Sequence, residues 1–281
     1  MTKAVLSIKT MDKDNLINRI CQLTVPSSDD GKSFINRQRY EIIKSIIESL
    51  PYICISDQPL SFIYAKKHFQ SLRPFILIST HIDSIYKKYF FSSDNKEING
   101  CFDNSATNAI LVELMKENLI PDQVIIAFTG NEEDGFKGVN QTINFLKEDM
   151  KNFDKLEMVI VLDLTEESYN QHSFTFENLF IKKNNHNSIL KFNKKREMKS
   201  YIEGLLKSSE LSFIIEAVVD ESWRYNKNDL NIFSFCLPCR LLGNSMHSGK
   251  GVVIRKDDIF SYATTLSLLL KCINESIQVN I

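Results

Sequence analysis

The sequence predicts an α/β fold: a three-layer α/β/α sandwich around a mainly parallel, mixed central sheet. Two observations carry this. Three short runs, "FILIST" (75–80), "QVIIAFT" (123–129) and "MVIVLDL" (158–164), are apolar at nearly every residue. Strands covered on both faces read that way. Between these runs lie stretches with apolar residues at helical spacing, and strands that alternate with helices favour parallel connections.

Taken in order, "NLINRICQLTV" (14–24) sets Leu16, Ile17, Ile20 and Leu23 on one helical face, and "VPSSDDG" breaks it. Residues 34–50 carry Phe34, Ile35, Ile42, Ile43, Ile46, Ile47 and Leu50 on a second such face, stopped by Pro51. "YICIS" and "SFIYAK" then read as short strands. A helix is expected from near Asn104 to before Pro121, and a shorter one over "VNQTINFLKEDM". "NIFSFCLP" (231–238) reads as a fourth central strand, and a long apolar helix closes the chain. No internal repeat or linker stands out, so residues 1–281 are expected to form one domain, without an inserted lid or dimerisation domain.

The net charge of −1, with 43% hydrophobic and 25% charged residues, gives no electrostatic reason for a nucleic-acid or anionic-membrane partner. The basic stretch 181–199 lacks interleaved aromatic platforms and reads as a solvated linker. No leader-like N-terminus or bilayer-length apolar run is seen, so the expected compartment is the cytoplasm. Six scattered cysteines suit reduced thiols, and the Cys236–Cys239 pair lies in an apolar run that suits packing.

Chemistry collects at the carboxyl ends of the expected strands, where open α/β sheets bind ligands. "FILIST" runs into His81-Ile82-Asp83, "QVIIAFTGN" into Glu132-Glu133-Asp134, and "MVIVL" into Asp163. Asp103 precedes the first central helix, and His247 follows the fourth strand. Each residue alone has a plain structural reading, such as an N-cap for Asp103. Together they offer imidazole nitrogen and carboxylate oxygen, a donor set that suits zinc and also manganese or cobalt. A cation would also relieve the repulsion among the adjacent acids.

The ordered set His-x-Asp, Asp-Asn before a helix, Glu-Glu-x-Gly-x-x-Gly, a strand-end Asp and Met-His-Ser resembles the co-catalytic zinc exopeptidases of metallopeptidase clan MH. The compact leucyl aminopeptidase or aminopeptidase Y-like branch fits the spacing best. The stretch "SFCLPCRLLGNSMHS" is more similar to the glutamyl, or tetrahedral, aminopeptidases. The resemblance implies the zinc-exopeptidase fold and two divalent metal ions, most simply zinc. It implies that His81, Asp103 and Asp163 hold one metal, and that Asp103, Glu133 and His247 hold the other. Glu132 would be the general base for the attacking water, and Asp83 would orient His81 from outside the ligand set. The implied reaction is cleavage of an amide bond, by removal of the N-terminal residue from a small peptide or aminoacyl amide. An N-acyl amino acid deacylase and a glutaminyl cyclase share the scaffold, and a non-catalytic binding module is a third reading. Two departures stand out. Thr107 occupies a position often held by Gly, and Asp220-Glu221-Ser222-Trp223 replaces a usual Asp-His-x-x-Phe. That segment lines the substrate site in relatives, which makes Asp220 and Trp223 candidate substrate contacts.

Overall fold

A computed structural model describes residues 11–26, 35–86, 89–166, 169–171, 174–177, 204, 213–216, 220–228, 230–246 and 249–279. The basic stretch 181–199 and His247 lie outside these residues.

The first elements among the described residues are helices α1 (Lys13–Leu23) and α2 (Arg37–Ile47). Asp12 caps α1 by accepting from the amides of Asp14 and Asn15, and Asn36 caps α2 by accepting from Arg39. Strands β1 (Tyr52–Gln58), β2 (Ser61–Lys66) and β3 (Phe75–His81) follow, then the short β4 (Phe91–Ser93) and β5 (Glu97–Gly100). Helix α3 (Ser105–Lys116) leads to β6 (Val124–Thr129). Helix α4 (Lys137–Asn144) runs on through one π turn, Phe145–Asp149, into β7 (Leu156–Thr165). Strands β8 (Phe174–Glu177) and β9 (Phe213–Glu216) precede the short helix α5 (Ser222–Asn226). The chain continues through β10 (Ile232–Pro238), β11 (Arg240–Leu241) and β12 (Val252–Arg255) into α6 (Lys256–Val279).

The large sheet has the order β1-β2-β6-β3-β7-β10-β8-β9. Strands β6, β3, β7 and β10 are mutually parallel at its centre, whereas β1 and β2 pair antiparallel, and β8 runs antiparallel to β10 and parallel to β9. The expected mixed, mainly parallel sheet between helical layers is therefore present. The edge strands β8 and β9 and a separate four-stranded sheet, β11-β12-β5-β4, were not expected from the sequence.

Strand alternation divides the core. Ile76 and Ile78 of β3, with Met158, Ile160 and Leu162 of β7, pack toward residues of α1, α2, α3 and α6. Phe75 and Leu77, with Val159 and Val161, pack toward Val139, Ile143 and Tyr225 on the other face. Burying each such side chain favours folding by roughly 1.5–3 kcal/mol. The same parity sends the last odd-numbered residues, His81 and Asp163, to the α4 face, and Thr80 to the α3 face. Ser79 pairs with Val161 in the parallel register, so two residues further on His81 comes beside Asp163. Register alone thus juxtaposes an imidazole and a carboxylate at the carboxyl end of the sheet.

Candidate metal centre

His81 and Asp103 are buried and Asp163 is nearly so. His81 Nε2 stands 3.1 Å from Asp103 Oδ1 and 3.7 Å from Asp163 Oδ1, while Nδ1 stands 3.3 Å from Asp83 Oδ1. One donor atom from each of His81, Asp103 and Asp163 lies within 4.8 Å of the others. Nitrogen and carboxylate oxygen at that spacing fit a divalent metal of the zinc, cobalt or manganese kind. A thiolate is not needed: Cys101, Cys236 and Cys239 are buried thiols, in keeping with packing roles.

The electrostatics describe an excess of negative charge. Burial alone would push the His81 imidazole down, but the neighbouring carboxylates of Asp103, Asp163 and Asp83 outweigh it and hold His81 well above its ordinary range. Burial pushes Asp163 up to about 6, against the opposing pull of His81. Glu132 is pushed up to about 10, first by burial and then by Asp163, Asp103 and Glu133, with His81 opposing.

A buried polar network holds three of these acids and bases in place. Asn104 follows Asp103 through a cis peptide bond. Its side-chain amide donates to the Leu162 carbonyl at 2.7 Å and to Thr80 Oγ1 at 3.2 Å. Asn108, one helical turn later, donates to the His81 carbonyl at 2.8 Å and to the Asn104 carbonyl at 2.7 Å. The Thr107 hydroxyl donates to Asn104 Oδ1. Thr107 therefore anchors the residue next to Asp103. The start of α3 is in this way joined to the ends of β3 and β7.

Glu132 and Glu133 come from a loop of another kind. Asn131 and Phe136 take left-handed backbone with φ of 61° and 59°, and Gly135 has φ 101°. The Phe136 amide donates to the Asn131 carbonyl at 2.7 Å and closes the turn. Gly138 lets the loop press on its own start: a Cβ there would meet the Leu60 carbonyl at 2.3 Å and the Gly130 carbonyl at 2.5 Å. The Glu133 amide donates to Asp83 Oδ2 at 3.2 Å, which ties this loop to the segment after His81. Glu132 and Glu133 are partly exposed, and Asp134 is exposed, as expected for a third acid turned to solvent.

Among the remaining candidates, Asp220 is buried and accepts from the Ser222 amide at 2.8 Å. Trp223 is 38% exposed. Met246, the residue before His247, accepts a hydrogen bond at its carbonyl from the Tyr86 hydroxyl.

Several residues escape the sequence reading. Glu221 is buried and accepts from the Ser79 hydroxyl at 2.6 Å and from the Thr129 hydroxyl, and Tyr225 donates to Ser79 at 3.0 Å. Burial pushes this carboxyl up to about 7 despite the two hydroxyl donors. It joins β3 to β6 two residues before His81. Arg39, from α2, is also fully buried. Its signal was present: Ile35, Arg39, Ile43 and Ile47 form one row at four-residue spacing, with a charge inside an apolar stripe.

Comparison with known proteins places the fold and the family. No curated protein matches the sequence. Among solved structures, an aminopeptidase from the archaeon Desulfurococcus kamchatkensis superposes with a TM-score of 0.66 at 9% identity, covering 92% of this chain and 95% of that one. A tripeptidase from Staphylococcus aureus gives 0.63 at 11% identity, covering 94% and 99%. The glutaminyl cyclase of Macrostomum lignano gives 0.61 at 15%, covering 92% and 88%. At these identities the likeness is one of fold. The sequence itself goes further, because residues 64–233 match Peptidase family M28. That match spans more than half of the sequence and every candidate site residue except His247, and this chain therefore belongs to Peptidase family M28.

Proposed function

We propose that this chain is a metal-dependent aminopeptidase that removes the N-terminal residue from small peptides or aminoacyl amides. The observation that carries the proposal is the convergence of His81, Asp103 and Asp163 within 4.8 Å at the carboxyl end of the sheet. In this reading they hold one divalent ion, most simply zinc, with Asp103 shared with a second ion held by Glu133 and His247. His247 enters on the resemblance alone. The catalytic unit is one domain over residues 1–281, without a lid or dimerisation insert, working in the cytoplasm without a nucleic-acid or membrane partner. No helix among the described residues is long and apolar enough to cross a membrane.

When bound, the metals would supply the positive charge that favours the ionised form of Glu132, acidifies water and polarises the scissile carbonyl. The protein's own groups do the rest. Glu132 takes a proton from the attacking water and returns it to the leaving amine. Asp83, 3.3 Å from His81 Nδ1, fixes the ring so that Nε2 faces Asp103 and Asp163. Trp223 is assigned to substrate contact, with its exposed ring as an apolar wall, whereas Asp220 is only 1% exposed and is given no substrate contact.

A one-metal glutaminyl cyclase is the second reading. It is supported by the three-donor cluster, which suffices to hold one ion, and by the cyclase fold neighbour. A deacylase is distinguished by the same experiment. The purified protein is assayed for bound metal, then offered free aminoacyl amides, their N-acylated forms and peptides with N-terminal Gln. The aminopeptidase reading expects release of the free N-terminal residue. Turnover of N-acylated substrates alone identifies a deacylase, and ammonia release from N-terminal Gln identifies a cyclase. A protein that binds no divalent metal overturns all three.

A further inference from the structure

Arg39 is first among the large, fully buried side chains. Its acceptors are four main-chain carbonyls. Nε donates to Leu23 at 3.1 Å, Nη1 to Ile82 and Asp83 at 3.4 Å each, and Nη2 to Asp103 at 3.4 Å. A guanidinium stripped of water is costly, and carbonyl dipoles offset that cost less well than a carboxylate would. The arrangement calls for a reason beyond filling space, and its acceptors supply one. Ile82 and Asp83 directly follow His81 at the end of β3, and the fourth carbonyl belongs to Asp103 itself.

We propose that Arg39 is a positioning residue of the metal centre. One planar fork grips the segment after His81 and the main chain of Asp103, and so sets the separation of the two donors before a cation arrives. Leu23, at the end of α1, anchors the fork from behind. The clamp complements the Asn104–Asn108 network, which ties the same two segments through α3 and β7. It acts from the same helical layer as α3, on the face away from the His81 ring. Lysine cannot reproduce it: an ammonium keeps the charge but lacks donors spread in one plane. The inference rests on the metal-binding reading proposed above.

The test uses the full chain. Zinc and cobalt are titrated in competition with a chelator for wild type, Arg39→Lys and Arg39→Met, and the visible spectrum of each cobalt form is recorded. Arg19→Met, which breaks the Arg19–Glu113 ion pair at 2.8 Å away from the site, is the control. The clamp predicts that both Arg39 variants bind the first metal about 10–100-fold more weakly. It also predicts an altered cobalt spectrum and a kcat that recovers at saturating metal. Arg19→Met should melt earlier with unchanged metal affinity. If Arg39→Lys binds metal as wild type does, with the wild-type spectrum, the clamp is wrong even if the variant is less stable. If wild type binds no metal, the proposed function fails instead. Should the Arg39 variants not fold, the arginine side-chain nitrogen resonances of wild type decide. A shift of the Arg39 signal on metal addition supports the clamp, and an unmoved signal during saturation overturns it.

Discussion

His81, Asp103 and Asp163 are presented by two strand ends and the start of a helix, and they are stitched together by Asn104, Asn108, Thr80 and Arg39. Glu132 and Glu133 are presented by a tight loop with three residues in left-handed backbone, tied to the segment after His81 by the Glu133 amide at Asp83. The first half is buried, whereas the second is partly exposed. The difference follows the tasks proposed for the three fixed donors and for Glu132, while Glu133, a proposed donor to the second ion, shares the loop with the base. Binding a cation needs donors fixed in advance, and a framework of strands and helices fixes them best. Moving a proton needs contact with the reacting water, and a loop at the rim gives that contact.

The largest effect should come from the buried half. Asp103→Ala removes a donor that the proposal shares between both metals. Its loss of metal and turnover should run well beyond the about 10–100-fold that losing an outer partner costs. Retained metal and activity in this variant, measured by elemental analysis and peptide hydrolysis, would break the distinction between the halves. In the partly exposed half, Glu132→Gln should lower kcat by about 10²–10⁴-fold while leaving metal content unchanged. A parallel loss of metal would move Glu132 into the binding half.

Asn108→Ala probes the stitching. Leaving the buried His81 and Asn104 carbonyls without this donor should cost about 1–3 kcal/mol of stability. It should also weaken metal binding about tenfold, checked by thermal melting and chelator competition. Wild-type affinity at reduced stability would show that the network serves folding alone.

The smallest effect concerns pH in the metal-free protein. Glu132, Asp163 and His81 all hold their protons more tightly when folded than when unfolded, by burial for the two acids and by the surrounding carboxylates for the imidazole. The folded state then binds more protons, so stability falls as pH rises. The window runs from the ordinary acid range through about 6 for Asp163, and on toward about 10 for Glu132. Melting temperature without metal should therefore decline between pH 5 and pH 8, roughly, and saturating zinc should flatten the slope. A metal-free protein that gains stability over that range would contradict the negative field described here.

The legible part of the molecule was the part governed by short-range pattern. Runs apolar on both faces located β3, β6, β7 and β10, and the polar residues at their ends located the donors. The four-stranded sheet was not legible, since "FSS", "EING" and "RL" are too short to carry a period. Arg39 and Glu221 were passed over for another reason. A charge inside a helical stripe, or one beside a familiar motif, reveals nothing of its acceptors until distant segments meet. The Arg39 acceptors lie in three separate stretches of chain, and those of Glu221 lie in β3 and β6.

The small sheet has a consequence in time. Gly100 of β5, three residues before Asp103, pairs with Val252 of β12, five residues after His247. Gly251 makes this approach possible, since a Cβ there would meet the Gly100 carbonyl at 2.3 Å. Synthesis delivers the β5 segment long before β12 emerges. The stretch leading into Asp103 must wait for its partner while more than half of the sequence is still being made. A nascent chain can thus form much of its central sheet early, yet it holds its full set of proposed donors only once residue 247 and β12 have been made.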